Sequence, residues 1–289
     1  MPLLQTGAIN INGSDKANEL PKYDLSWCLL SRCSGFARRM LWLLFLMLTS
    51  VSFKTPVYAD TVYVGVASNF IAPMKHLSRE FKRLSGHDLK VSYASSGKLF
   101  AQIRYGAPFH LFLSADQQKP AALIEADLAD QASLTTYALG SLVLWSSEMD
   151  LLLNRHYLIS DNYSRLSLAN PKLAPYGFAA METLKALDLD QQLKSRLITG
   201  ENIAQAYQFV ATGNAQIGFV ARSQIYAEEQ LKSGSSWIIP ESYYQPIRQD
   251  MVLTKKGSAF GPAIELHRFI QSKPGRAIIR SYGYHLAEK

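Results

Sequence analysis

Small hydroxyl residues stand where a predicted strand turns into a predicted helix, and such a turn can bind an anion. The stretch 91–103 begins as a strand, turns at Ser95-Ser96-Gly97, and continues with apolar residues at helical spacing. The first amides of a helix lack intrahelical acceptors and carry the positive end of the helix dipole. Such a turn is typical of an oxyanion site. Serine is also a common N-cap, so a single copy of the pattern would more often indicate capping alone.

The pattern recurs at three further predicted helix starts, and none of the four turns carries a cation. The other three turns contain Ser68-Asn69, Tyr176-Gly177 and Asn202-Ile203. Neutral hydroxyl and amide donors can hold an oxyanion well, because hydrogen bonds to a charged acceptor are about twice as strong as neutral ones. A site without cations selects by size and number of donors. The four turns together therefore predict a site for a small, multiply charged oxyanion.

Composition and motifs argue against catalysis and against nucleic-acid binding. The six histidines are scattered, and we find no nucleophile paired with a base, no metal-ligand spacing and no phosphate-binding loop. The net charge is +7, of which +3 falls on residues 1–59, which leaves +4 on residues 60–289. No run of Lys and Arg is interleaved with aromatic residues, as nucleic-acid binders show. We expect a binding protein without a cofactor; an enzyme on the same fold is the less favoured alternative.

The elements that must position the four turns are alternating strands and helices. Strands are predicted over 61–66, 89–93, 108–114, 139–145, 166–170, 216–220, 236–240 and 250–254, with helices between most of them. This alternation indicates a doubly wound α/β protein, in which ligands bind at the carboxyl ends of strands. We predict lobe 1 from residues 60–139 and 250–289, and lobe 2 from residues 140–249. Two turns from each lobe would then face each other across a cleft.

The leading segment, residues 1–59, has the features of a secretory signal. Arg38-Arg39 precede an apolar run over 40–53, and Val57-Tyr58-Ala59 offers small residues before a cleavage site after Ala59. The apolar run is shorter than the ~20 residues that cross a bilayer. We therefore expect export to the periplasm; an uncleaved anchor and an overextended gene start are the alternatives. Both cysteines, Cys28 and Cys33, lie in this segment.

A series of short motifs resembles the periplasmic molybdate-binding proteins of ABC transporters. In chain order these motifs are Val66-Ala67-Ser68, Tyr93-Ala94-Ser95-Ser96, Gln102-Ile103, Gly106-Ala107-Pro108, Leu111 to Asp116, Asn170-Pro171, Ala174 to Gly177 and Gly218-Phe219-Val220. The resemblance covers essentially all of residues 60–289. It implies a two-lobed type II periplasmic-binding-protein fold, in which helices flank a mostly parallel sheet in each lobe and the ligand lies between the lobes.

The resemblance also implies a function and a set of donors. The protein would be a monomer that captures molybdate, and also tungstate, and delivers it to an ABC permease; a binder of sulfate or phosphate is the alternative. Ser68 and Ser96 would each donate a hydroxyl and a backbone N–H, while Tyr176 and Ile203 would donate backbone N–H groups. Asn69 would be a further donor.

Two positions depart from the family pattern. Some members donate a tyrosine hydroxyl from the position that is Ala221 here, so one donor is missing unless the Tyr176 hydroxyl supplies it. His110 stands where an acidic residue is common. We interpret His110 as structural, with a pH effect on lobe closure as the alternative, because histidine titrates near neutrality.

Overall fold

The computed structural model describes residues 59–228 and 230–287. The predicted signal peptide and both cysteines lie outside these residues. All of these described residues fall within one compact unit. Across the described ranges, the helices are all too short or too polar to span a membrane.

Twelve strands of the described chain form two five-stranded sheets and one two-stranded ribbon. The strands are β1 (Thr61–Ala67), β2 (Asp88–Ala94), β3 (Leu111–Leu113), β4 (Thr135–Gly140), β5 (Leu142–Ser146), β6 (Leu166–Ala169), β7 (Leu197–Gly200), β8 (Ile217–Ala221), β9 (Tyr226–Ala227), β10 (Gln230–Leu231), β11 (Ser235–Ile238) and β12 (Ile247–Leu253). Sheet 1 has the order β2-β1-β3-β12-β4, sheet 2 has the order β11-β5-β8-β6-β7, and β9 and β10 form the ribbon. We call the part built on sheet 1 lobe 1 and the part built on sheet 2 lobe 2.

Each sheet is mixed, which differs from the expected mostly parallel sheets. In sheet 1, β1 pairs in parallel with β2 and β3, whereas β12 runs antiparallel to β3 and β4. In sheet 2, β6 is parallel to β7 and β8, whereas β5 is antiparallel to β8 and β11. The antiparallel pairs involve the strands that carry the chain from one sheet to the other and back, and a strand that crosses over need not follow a βαβ unit.

Helices cover the sheets and follow the parallel strands. They are α1 (Ile71–Ser85), α2 (Ser96–Arg104), α3 (Gln118–Glu125), α4 (Arg155–Ile159), α5 (Pro175–Ala186), α6 (Ile203–Ala211), α7 (Arg222–Ile225), α8 (Lys255–Ser258), α9 (Gly261–Gln271) and α10 (Lys273–Ser281). Their apolar faces bury against the sheets: Met74, Leu77 and Phe81 of α1, spaced by three and four residues, join the core of lobe 1.

The crossing between the sheets interrupts a segment predicted as one strand. Residues 139–145 belong to β4 and β5, which are separated at Ser141 and lie in different sheets. The return crossing is β12, whose residues are buried except at Arg248. These two crossings connect the lobes, so the residues beside them can couple lobe position to the site between the lobes.

Candidate anion site

All five predicted site residues lie in the first turn of a helix. Ser68 and Asn69 open the 3₁₀ turn that follows β1, Ser96 opens α2, Tyr176 is the second residue of α5, and Ile203 opens α6. Each is at most 4% exposed. First-turn amides have no acceptor inside their own helix, so these positions carry donors that only a ligand, water or another part of the chain can satisfy.

The structure brings these helix starts together from both lobes. Ala67, the last residue of β1, and Ala115 pack into the same buried cluster as Tyr176 and Ile203. The 3₁₀ turn contacts α6, and Gly97 N–H donates to Leu173 O of lobe 2 at 3.0 Å. The positive ends of four helices therefore meet where the two lobes touch, which is a favourable arrangement for a buried anion.

Local sequence explains how closely α5 approaches this point. Pro175 occupies the first turn of the helix, where its missing N–H costs nothing. Gly177 lies so near the end of β6 that an added Cβ would stand 2.1 Å from the carbonyl oxygen of Ala169. Only glycine permits this approach, which places the Tyr176 amide beside the carboxyl end of β6.

At two of the turns, the residue that caps the helix is not the residue that is predicted to bind the anion. Ser95 Oγ accepts from Lys98 N–H at 3.4 Å, and Asn202 Oδ1 accepts from the amides of the second and third residues of α6 at 2.9 and 3.2 Å. Ser96 Oγ instead accepts from Ala115 N–H at 2.9 Å, which leaves its own hydrogen for another acceptor. Ser95 and Asn202 therefore cap their helices, while Ser96 retains a free donor function.

The Asn69 and Tyr176 side chains belong to a buried network. Asn69 Nδ2 donates to Gln249 Oε1 and to the Tyr284 hydroxyl, both at 2.8 Å, which uses both of its hydrogens. Gln249 Nε2 donates to the Tyr176 hydroxyl at 3.2 Å, and the Tyr137 hydroxyl lies 3.1 Å from Gln249 Oε1. The Tyr176 hydroxyl is thus engaged with Gln249 on the crossover strand β12.

The tyrosines of this network are neutral. Burial raises the pKa of Tyr176 and of Tyr137 well above the usual range, and burial raises the pKa of Tyr284 to about 12. Their hydroxyls therefore keep their hydrogens at physiological pH. The five predicted site residues and this network together contain no ionised group.

Sequence reasoning missed Gln249, Tyr284 and Ser223, the last of which donates to Asn69 O at 2.8 Å. Tyr284 is 4% exposed and packs in the core of lobe 1. One available signal was Gln249, which directly precedes the predicted strand 250–254, because buried polar side chains in strands require partners.

A groove between the lobes adjoins the site. Its volume is about 320 Å³, and its lining includes Ala115 of lobe 1 and Ala174 of lobe 2. Both alanines also belong to the buried cluster around Tyr176 and Ile203. The rim carries the ion pair of Asp116 with Lys119, which is local to one turn of lobe 1. The lining contains none of the five predicted site residues, so the groove lies beside the buried helix starts and not at them.

The structure shows what surrounds the two positions that depart from the family pattern. His110 Nδ1 accepts from Tyr63 N–H at 3.2 Å, and its ring lies 4.6 Å from the Phe260 ring. Burial, assisted by Lys256, lowers the pKa of His110, and the residue precedes β3, at the strand end away from the helix starts. Both observations favour the structural interpretation. Ala221 is fully buried at the end of β8 and offers no hydroxyl.

Metal binding has no support in the side chains that the structure describes. No group of three or more His, Cys, Asp or Glu residues in the described ranges could hold a metal ion.

Known proteins resemble this chain in sequence and in structure. Residues 62–285 match the family described as bacterial extracellular solute-binding protein. The molybdate-binding protein ModA of Azotobacter vinelandii is 43% identical over 229 residues, covering 79% of this chain and 91% of that protein. ModA of Rhodobacter capsulatus is 40% identical, covering 79% and 90%. The structure of the Azotobacter vinelandii periplasmic molybdate-binding protein superposes with a TM-score of 0.76 at 35% identity, covering 78% of this chain and all of the other.

Proposed function

Because this chain belongs to the family of bacterial extracellular solute-binding proteins, we propose that it captures molybdate outside the cytoplasmic membrane and delivers it to an ABC permease. The observation that carries the proposal is the meeting of four uncharged helix starts, two from each lobe, in a chain whose relatives bind molybdate. Tungstate is a second ligand in this proposal, because its size and charge are nearly those of molybdate.

The proposed donors are hydroxyls and amides alone. Ser68 and Ser96 each supply a hydroxyl and an N–H, while Tyr176 and Ile203 supply N–H groups. Both side-chain hydrogens of Asn69 are used within the chain, so its donor to the anion is its N–H. Charge-assisted hydrogen bonds and the helix dipoles together offset the cost of burying a dianion.

Selection in such a site depends on protonation as well as size. A fully deprotonated tetrahedral oxyanion can accept a hydrogen bond from every donor of the site. A protonated anion such as hydrogen phosphate must also donate one, and a site that consists of donors offers it no acceptor. A smaller dianion such as sulfate would leave some donors too distant. We expect a mismatch of this kind to cost ~1–3 kcal/mol.

The proposal assigns binding and transport, and no catalytic step. Lobe closure on the anion would present the surface that the permease reads. The proposed location is the periplasm, reached through the signal peptide predicted in residues 1–59, and the proposed state is a monomer. No cofactor takes part.

Titration calorimetry and thermal unfolding test the proposal directly. We expect the purified protein to release heat with molybdate and tungstate, and to gain about 2.7 kcal/mol of stability at a hundredfold excess of ligand over Kd. Sulfate and phosphate serve as competitors. Absence of binding to molybdate and tungstate, or tighter binding of sulfate or phosphate, would refute the assignment.

A further inference from the structure

Asn69 is held at two points by groups from elsewhere in the chain. Its side-chain Nδ2 donates to Gln249 Oε1 and to the Tyr284 hydroxyl, both at 2.8 Å. Its main-chain carbonyl accepts from Ser223 Oγ at 2.8 Å and from the Tyr284 hydroxyl at 3.0 Å. The orientation of the Ser68-Asn69 turn is therefore fixed from outside the turn.

The groups that hold Asn69 come from three separate places. Gln249 lies on the crossover strand β12, and Tyr284 follows α10 and packs in the core of lobe 1. Ser223 lies on α7 of lobe 2, and its Oγ stands 3.0 Å from the Tyr284 hydroxyl. All three are at most 4% exposed, as is Asn69 itself. The Tyr284 hydroxyl is thus the point where lobe 1, lobe 2 and the Ser68-Asn69 turn meet.

We propose that Tyr284 is a positioning residue for the oxyanion, which it affects through Asn69 and through the contact with Ser223 that joins the two lobes. This inference rests on the proposed function. Tyr284 holds the Ser68-Asn69 turn in the orientation that directs its N–H groups to the ligand. The Tyr284 hydroxyl also contacts Ser223 Oγ when the lobes are together. The same hydroxyl therefore takes part both in lobe closure and in the alignment of the donors.

The chemistry of the network suits this role. Asn69 donates both side-chain hydrogens, one to Gln249 and one to Tyr284. Its donor to the anion is therefore its backbone N–H, whose direction depends on the hydrogen bonds that hold the residue. Separation of the lobes would remove Ser223 from the Asn69 carbonyl and leave buried polar groups without partners. Neutral hydrogen bonds of this kind favour the closed form without adding charge to the site.

The substitution Tyr284→Phe tests the inference because it removes the hydroxyl and keeps the ring, whose centroid lies 5.3 Å from that of Phe70. We expect the Kd for molybdate, measured by calorimetry, to rise about threefold to tenfold, the ratio that one neutral hydrogen bond contributes. Most of the change should be in the dissociation rate, measured by stopped-flow dilution, because closed-state contacts govern release. The matched control is Tyr282→Phe, which removes a hydroxyl outside the network and should leave Kd unchanged.

The outcomes distinguish positioning from packing. A lower unfolding temperature of Tyr284→Phe with an unchanged Kd would show a merely structural residue and overturn the inference. If Tyr284→Phe does not fold, Ser223→Ala removes the lobe 2 partner and should raise the dissociation rate by a similar factor; an unchanged rate there overturns the inference as well. Failure of the unmodified protein to bind molybdate would instead overturn the proposed function, and this inference with it.

Discussion

Adjacent serines at the start of α2 should respond differently to the same substitution. Ser95 Oγ caps the helix through Lys98 N–H, whereas Ser96 Oγ accepts from Ala115 N–H and keeps its hydrogen for the anion. Ser96→Ala removes one hydrogen bond to a charged acceptor, which is worth about 1.5–3 kcal/mol. We therefore expect the Kd for molybdate to rise about 10- to 150-fold. Ser95→Ala should leave Kd within about threefold of the original value, since a cap acts on the helix rather than on the ligand.

The thermal stability of the two serine variants without ligand shows how far each substitution disturbs the fold itself. Ser95→Ala loses a cap worth about 0.5–2 kcal/mol, and the long 3.4 Å contact favours the lower end. Ser96→Ala leaves the Ala115 amide without its acceptor, which costs about 1–3 kcal/mol. Both variants should therefore unfold a few degrees below the original protein, at roughly 2–4 °C per kcal/mol for a chain of this size.

Calorimetry and thermal unfolding of the two variants test whether Ser96 donates to the anion and Ser95 only caps the helix. If Kd rises thirtyfold in Ser96→Ala, the stabilisation by a fixed molybdate concentration falls by about 2 kcal/mol, whereas Ser95→Ala keeps nearly all of it. Equal losses of affinity in the two variants, or a larger loss in Ser95→Ala, would refute the assignment of Ser96 as a donor and of Ser95 as a cap.

Two further predictions concern the crossing between the lobes and the pH dependence of stability. Gly140→Ala places a Cβ 2.1 Å from the Tyr176 hydroxyl oxygen. We expect a loss of about 1–3 kcal/mol of stability in thermal unfolding and weaker molybdate binding in calorimetry, and unchanged values of both would contradict this expectation. Burial lowers the pKa of His267, whose Nε2–H donates to a backbone carbonyl at 2.7 Å, so the unfolded chain binds more protons and stability should fall as the pH drops below about 6.5. His267→Gln should flatten the dependence of unfolding temperature on pH between 7 and 5, and an identical slope would contradict this account.

The position of each predicted donor at the start of its helix could be predicted from the sequence, because neighbouring residues determine where a strand ends and a helix begins. The alternation of strands and helices around Ser68, Ser96, Tyr176 and Ile203 placed each of them in the first turn of a helix, where the structure has them. Whether these residues contact the anion remains a prediction.

The network behind the turns could not be predicted in the same way. Asn69 and Tyr284 are 215 residues apart, and Asn69 and Gln249 are 180 apart, so no window of the sequence contains both members of either pair. The interruption at Ser141 was also missed, because residues 139–145 have the pattern of a single strand although they belong to two strands in different sheets. The spacing of apolar residues predicts which face of a helix or strand is buried, but it does not predict which other element packs against that face.

The absence of ionised groups among the proposed donors and the surrounding tyrosines has a consequence for the whole molecule. A dianion held by protonated hydroxyls and amides brings its two negative charges into the protein with no counter-ion and no proton to cancel them. Residues 60–289 carry a formal +4, so the loaded form would carry +2. Empty and loaded protein should therefore migrate as two distinct bands in native electrophoresis and elute separately from a cation exchanger.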